Sequence, residues 1–251
     1  MGSSGRLQLS VIAWVAVGAF LTLVWIILSQ AYPTIMPGPP SALSFLYQNL
    51  DMALKDSVTT LGNTLAGFAI SIISAILLSI MWLKGGIAAL FVERLNVVIQ
   101  SVSALVWAIV FLLIFGYTSR LSSVGVAAAT AFPIILSSLI KALETVKNEY
   151  GELARMIGRG RLWELREVYL PASTPTLVAS SRSAIGAALR ISVVAEAFGG
   201  SGGIGYRMWM FYEIHRYEGF LAWSFLLIVL MLFLDKIVLQ SLEEWSRRWM
   251  A

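Results

Sequence analysis

Apolar residues fall along this chain in long blocks rather than in alternation, over 9–28, 58–82, 104–117, 124–140, 175–198 and 220–239. About twenty such residues suffice for a helix to cross a hydrocarbon core. The third block is short and draws in residues from Val97 onward, giving a span at 98–117. Inside lipid each backbone amide must be bonded within its own segment, and the two-residue period of a barrel strand is missing here. The pattern predicts an all-α integral membrane protein of about six transmembrane helices, one domain over residues 1–251. Arg6 and Ser29-Gln30-Ala31 frame the first block like a cleavable signal. Its apolar stretch exceeds the signal-peptide core of about 7–15 residues, so it reads as a retained span.

Two blocks carry small side chains at every fourth position: Gly67, Ser71, Ala75 and Ser79 in the second, and Ala179, Ser183 and Ala187 in the fifth. Such a stripe lets another backbone come close. It serves either tight packing within one chain or a face that slides or lines a path.

One passage interrupts the apolar pattern. GELARMIGRGRLWELREVYLP, residues 151–171, holds seven charged side chains in a chain where only 13% are charged. Leu153, Met156, Ile157 and Gly160 lie at i, i+3, i+4 and i+7, one stripe of a helix. Gly158 and Gly160 flank Arg159 and predict a break, after which Leu162, Leu165 and Val168 start a second apolar face. A residue before proline is biased to extended backbone, so Leu170 is expected to end that helix ahead of Pro171. Thr174 and Pro175 then read as the cap and first turn of the fifth span. Amphipathic helices of this kind rest on anionic headgroups or enter a protein groove. Glu152, Glu164 and Glu167, interleaved with the arginines, favour the groove.

Composition narrows the chemistry. A mean hydropathy of +0.80 and 58% apolar residues exceed the range of soluble domains. There is no cysteine and a single histidine, His215, which excludes disulfides, thiolate metal sites and imidazole clusters. The net charge of +4 is a matter of topology. With the amino terminus in the cytoplasm, Lys55, Arg120, Arg207 and Arg216 lie outside, and Arg182 and Arg190 lie within the fifth span. The other twelve of the 18 basic residues lie inside. That asymmetry follows the positive-inside rule, argues against nucleic acid as a partner and puts residues 151–171 in the cytoplasm. Trp209, Phe211, Tyr212, Tyr217 and Trp223 read as outer interfacial anchors, and Trp245 and Trp249 as inner ones.

The charged passage also carries a family pattern. Glu152-x-Ala154, three residues, Gly158, nine residues, Val168-x-Leu170-Pro171 resembles the EAA loop of ABC-importer permeases, with Leu153 and Val168 as mild departures. Ile35-Met36-Pro37-Gly38-Pro39-Pro40-Ser41, Thr60-Leu61 with Gly67-Phe68, Phe115-Gly116, and Ala195-Glu196 followed by Gly203-Ile204-Gly205-Tyr206 are similar to the nitrate/sulfonate/taurine-type branch. Those relatives usually carry prolines in the third span. Residues 103–115 have none, which implies a straighter helix here.

The resemblance implies an ABC type I importer permease fold with a cytoplasmic coupling loop at 144–171. It makes Glu152, Ala154 and Gly158 the docking turn for an ATPase, with Val168, Leu170 and Pro171 completing the motif. It implies a transport subunit and not an enzyme, moving a small anionic or polar solute. The implied partners are two ATP-binding ABC subunits, a second copy of this permease, an extracytoplasmic solute-binding protein and the lipid bilayer. The chain itself would hold no cofactor, ATP and magnesium belonging to the ATPase. The implied setting is a prokaryotic plasma membrane with both termini cytoplasmic.

Two charges sit deep in the fifth span. At about 1.5 Å per residue, Arg190 lies roughly 22 Å from Pro175 and Glu196 roughly 31 Å. A charge inside the bilayer usually faces a cavity or a partner. Arg190, with Arg182 and Glu196, is therefore the candidate lining of a path. An Arg190–Glu196 structural pair, or snorkelling to an interface, would serve the same residues. Gly200-Ser201-Gly202-Gly203-Ile204-Gly205 satisfies G-x-G-x-x-G but lacks the preceding strand that a dinucleotide site needs, so it reads as a turn. An ion-coupled secondary transporter is the alternative function, although every carboxylate falls in loops or near span ends. An intramembrane enzyme would need a nucleophile–base or metal constellation that this sequence lacks.

Overall fold

The computed structural model of the chain describes residues 3–157 and 160–234. The regular elements among those residues are all helices, in the order α1 (Ser3–Ala31), α2 (Pro39–Gln48), α3 (Leu50–Trp82), α4 (Gly86–Ser101), α5 (Ala104–Phe115), α6 (Arg120–Ile157), α7 (Arg161–Glu164), a π-helical turn (Leu165–Tyr169), α8 (Leu170–Gly199), α9 (Ile204–Glu213) and α10 (Tyr217–Phe233). Four helices are long and apolar enough to cross a membrane, in α1, α3, α6 and the stretch Leu165–Gly199. α4 and α5 form a bent fifth candidate, and α10 is a shorter apolar helix.

The core is α3, α6 and α8, and the small residues explain how closely they pack. A Cβ on Gly67 would lie 2.5 Å from the Val124 carbonyl oxygen and 2.7 Å from the Ala127 Cβ. One turn on, the Ser71 hydroxyl is 2.9 Å from the carbonyls of both Gly67 and Ala128, closing its polar group within the seam. Ala75 and Ser79 are buried on the same face. This stripe packs within the chain. The second does not: Ala179 and Ser183 are exposed and Ala187 half-buried, because α8 turns Ala184, Ile185, Ala188 and Leu189 to the core instead.

The third span departs from expectation. Residues 98–117 do not form one helix: α4 and α5 meet at 93°. No proline makes the break. Val102 (φ −81°, ψ 127°) and Ser103 (φ −59°, ψ 141°) are extended, and the Trp107 indole N–H reaches the Ile99 carbonyl, at 3.4 Å. That carbonyl would otherwise face an extended Ser103. α5 alone, 12 residues, rises only about 18 Å.

The outer aromatics divide in two. Phe211 and Trp223 are core residues, meeting Phe45 edge-on at 5.5 and 6.2 Å between ring centroids and each other at 5.1 Å. Trp209 and Tyr212 remain exposed. Trp245 and Trp249 lie outside the described residues.

Candidate functional site

α6 does not stop where its apolar block ends but continues to Ile157. Its last turns expose Leu153, Met156 and Ile157 at 58, 80 and 55%, with Glu152 exposed beside them. Ala154 lies on the same helix end, and Gly158 falls outside the described residues. Gly160, at φ +91°, sets the turn, and its carbonyl accepts the N–H groups of Trp163 and Glu164 at 3.1 Å each. Beyond the turn the chain is anchored: Leu165, Val168 and the buried Tyr169 pack into the main core. Further up α6, the Lys147 ammonium lies 5.6 Å from the Trp82 ring, whose indole N–H donates to Glu93 at 2.8 Å. One face of the elbow is thus fixed to the body, and the Leu153–Met156–Ile157 stripe is presented outward.

The exit from the elbow differs from expectation. Leu170 is helical (φ −66°, ψ −50°), so the chain runs unbroken from the π-helical turn into α8. Thr174 does not cap, since its hydroxyl bonds back to the Leu170 carbonyl at 2.8 Å. Pro175 lies inside the helix instead of opening it. A proline ring normally strikes the carbonyl four residues back. The wider π turn ahead of Pro171 aims its carbonyls five residues on, which relieves that clash.

At the other end of α8, Glu196 is fully buried. Its Oε2 accepts from the Thr60 hydroxyl at 2.8 Å and the Gly205 N–H at 3.2 Å, and its Oε1 accepts from the Asn63 amide at 2.9 Å. The Thr60 oxygen also accepts the Ile204 N–H at 2.8 Å. One turn outward along α3, buried Asp56 accepts from Arg207 Nε at 3.0 Å and from the Trp223 indole at 2.9 Å. Glu196 makes no pair with Arg190 among the described residues. Arg190 is exposed on α8, above Gly186 and Ser183. With half-buried Arg182 they line a cavity of about 350 Å³ closed on its other side by Met231 and Leu234.

Residues 67–248 match the family model for the binding-protein-dependent transport system inner membrane component. The chain belongs to this family. The permease is 26% identical over 192 residues to the formylaminopyrimidine transport permease protein ThiX of Halalkalibacterium halodurans, covering 74% of this chain and 75% of that one. It is 23% identical over 241 residues to the bicarbonate transport system permease protein CmpB of Synechococcus elongatus, covering 90% and 84%. It is 28% identical over 117 residues to the nitrate import permease protein NrtB of the same species, covering 46% and 41%. Its fold resembles that of an amino acid ABC transporter solved with histidines (TM-score 0.67, 16% identity, 82% of this chain and 97% of that one). It also resembles the inward-facing MetNI methionine ABC transporter (TM-score 0.61, 17% identity, 79% and 98%). The permease is therefore a multi-pass membrane transport component of the type I importer fold.

The geometry explains the glycine run of the permease without a nucleotide. A Cβ on Gly200 would lie 2.8 Å from the Glu196 Cα, and one on Gly203 (φ +105°) would overlap the Glu196 carboxylate. One on Gly205 would strike the Val193 carbonyl. Asp56, Asn63, Arg207 and Trp223 were not singled out as a group from the sequence. The available signal was Asp56, Thr60 and Asn63 at i, i+4 and i+7, a polar face inside an apolar helix.

Proposed function

We propose that this permease is the membrane subunit of an ATP-driven importer and that, paired with a second copy, it forms the path for a small anionic or polar solute. One observation carries the coupling: three large apolar side chains stand exposed on a helix end that has left the apolar span and is braced from behind by Tyr169. The described core leaves Leu153, Met156 and Ile157 exposed, and on this reading they lie beyond the hydrocarbon, where apolar surface of that kind marks a protein contact. On this reading two ATPase subunits, which would bind the ATP and magnesium, each receive one elbow in a groove. Glu152, Ala154 and Gly158 make the docking turn, while Val168, Leu170 and Pro171 transmit its movement to α8. A solute-binding protein delivers cargo on the outer side, with both termini of the permease in the cytoplasm of a prokaryote.

Co-purification with a co-expressed ABC-type ATPase subunit tests the reading. Leu153→Asp combined with Met156→Asp is expected to abolish recovery of the ATPase and to lower ATP-driven uptake more than tenfold, with the permease's own unfolding temperature unchanged. Undiminished uptake by that variant would overturn the assignment.

The solute follows from Arg190. A cation exposed on a span, beside Ser183 and an uncovered Gly186, suits a path better than a lipid-facing surface. The relatives named for nitrate and bicarbonate transport handle small anions. A small anion is accordingly the favoured cargo, with Arg182 and Arg190 along its route and Glu196 at the outer end of the same helix.

A further inference from the structure

We propose that Glu196 is a positioning residue of the transport cycle: its buried carboxylate fixes the turn at residues 200–205 onto α3, so that the outer ends of α3, α8, α9 and α10 move as one block. The inference rests on the permease reading above but concerns a seam away from both the elbow and Arg190.

Every group facing the carboxylate is a donor. The Ile204 N–H donates to the Thr60 oxygen, the Thr60 hydroxyl donates to Glu196 Oε2, and Asn63 and Gly205 donate as well. These partners come from α3 and from the first residues of α9, whereas Glu196 belongs to α8. Gly203 closes over the carboxylate, Gly205 over the Glu196 Cβ and Gly200 over the Glu196 backbone, with no room for a Cβ at any of the three. The second knot, Asp56 with Arg207 and Trp223, joins α3 to α9 and α10 one turn away. The Thr118 N–H, bonded to the Gly199 carbonyl at 2.8 Å, ties the loop before α6 to the same end of α8.

A buried polar network loses the desolvation cost of each orphaned group when it opens, so a fully satisfied one resists parting. Rocking of the permease therefore moves this block against the second copy. It does not separate α3 from α9.

The chain has no cysteine, which makes the seam directly testable. The 2.8 Å contact between the Thr60 hydroxyl and the Ile204 N–H makes these two positions direct neighbours across the seam, the proximity that a disulfide requires. Thr60→Cys with Ile204→Cys, reconstituted in liposomes with the ATPase, is oxidised and then reduced. The expected result is efficient cross-linking with ATP turnover unchanged within twofold between the two states. Failure to cross-link, or turnover that falls tenfold on oxidation and returns on reduction, would overturn the inference. Because the comparison is made within one variant, any cost of losing Thr60 cancels.

Hydrogen exchange supplies a second measurement that needs no transport. Glu196→Ala should raise amide exchange at residues 200–206 at least tenfold while α6 stays protected. Glu196→Gln should raise it far less, since Asn63 can turn its amide over and present its carbonyl to the new donor. Equal protection in Glu196→Ala would overturn the role of the carboxylate. If the unmodified permease never stimulates the ATPase, the transport reading fails, and the exchange result still decides the seam.

Discussion

Single residues in this permease matter most where a polar group has been taken out of water. Asp56 is buried, with its partner Arg207 at 22% side-chain exposure and the Trp223 indole fully enclosed. Removing one side of such a pair leaves the other desolvated and unmatched. Asp56→Ala is therefore expected to cost about 3 kcal/mol, the range found for broken buried pairs, read as a lowered unfolding temperature in detergent. Gly67 shows the opposite constraint, a position with no volume to spare. Gly67→Ala would press on the Val124 carbonyl and the Ala127 methyl, an overpacking expected to cost about 1–3 kcal/mol by the same measurement.

At the scale of elements, α3 presents a single continuous face. Asp56, Thr60 and Asn63 in its amino-terminal half (the outer half on the proposed topology) give way to Gly67, Ser71, Ala75 and Ser79 in its carboxy-terminal half (the inner half), and all are buried. Polar bonds hold the outer end and close backbone contact holds the inner end. The sequence periodicity made the inner half legible. The outer half was hidden because a polar residue in an apolar helix gains its meaning only from the partner across the seam. The α4–α5 break teaches a related lesson. Absence of proline suggested a straight span, yet an indole donor and two extended residues bend the chain without one. Ser103 already has φ −59°, follows an extended Val102, and its N–H has no backbone acceptor among the described residues. Ser103→Pro should thus be tolerated and stabilise by about 0.4–1 kcal/mol, with unfolding temperature as the readout. A destabilised Ser103→Pro would show that the break is held some other way.

For the whole molecule, α1 raises its own question of cover. None of its membrane-length stretch is buried by the rest of the chain, and its polar tie is the Trp25 indole on the Pro37 carbonyl at 2.9 Å. An apolar helix left bare by the described residues suits surroundings of lipid or of a second copy. The exposed face of α8 belongs to the same scale, since Arg190 stands exposed on it among the described residues. Arg190→Met should lower uptake of a small anion such as nitrate at least tenfold, measured in liposomes, with ATPase docking unchanged. Equal uptake would remove Arg190 from the path.

What the sequence determined by itself was the solvent, most of the segments and the one charged, amphipathic passage that interrupts them. Block hydropathy dictates helices in lipid because an unbonded amide there is too costly. The 151–171 passage stands out because its charges and its apolar stripe at 153, 156 and 157 have one local geometry. Tertiary structure alone decided which small-residue stripe is packed and which is bare, that the helix runs through Leu170 and Pro171, and that Glu196 is enclosed by three glycines and two residues of α3. Those outcomes depend on contacts between residues as much as 144 positions apart, and helical periodicity reaches only as far as its own helix.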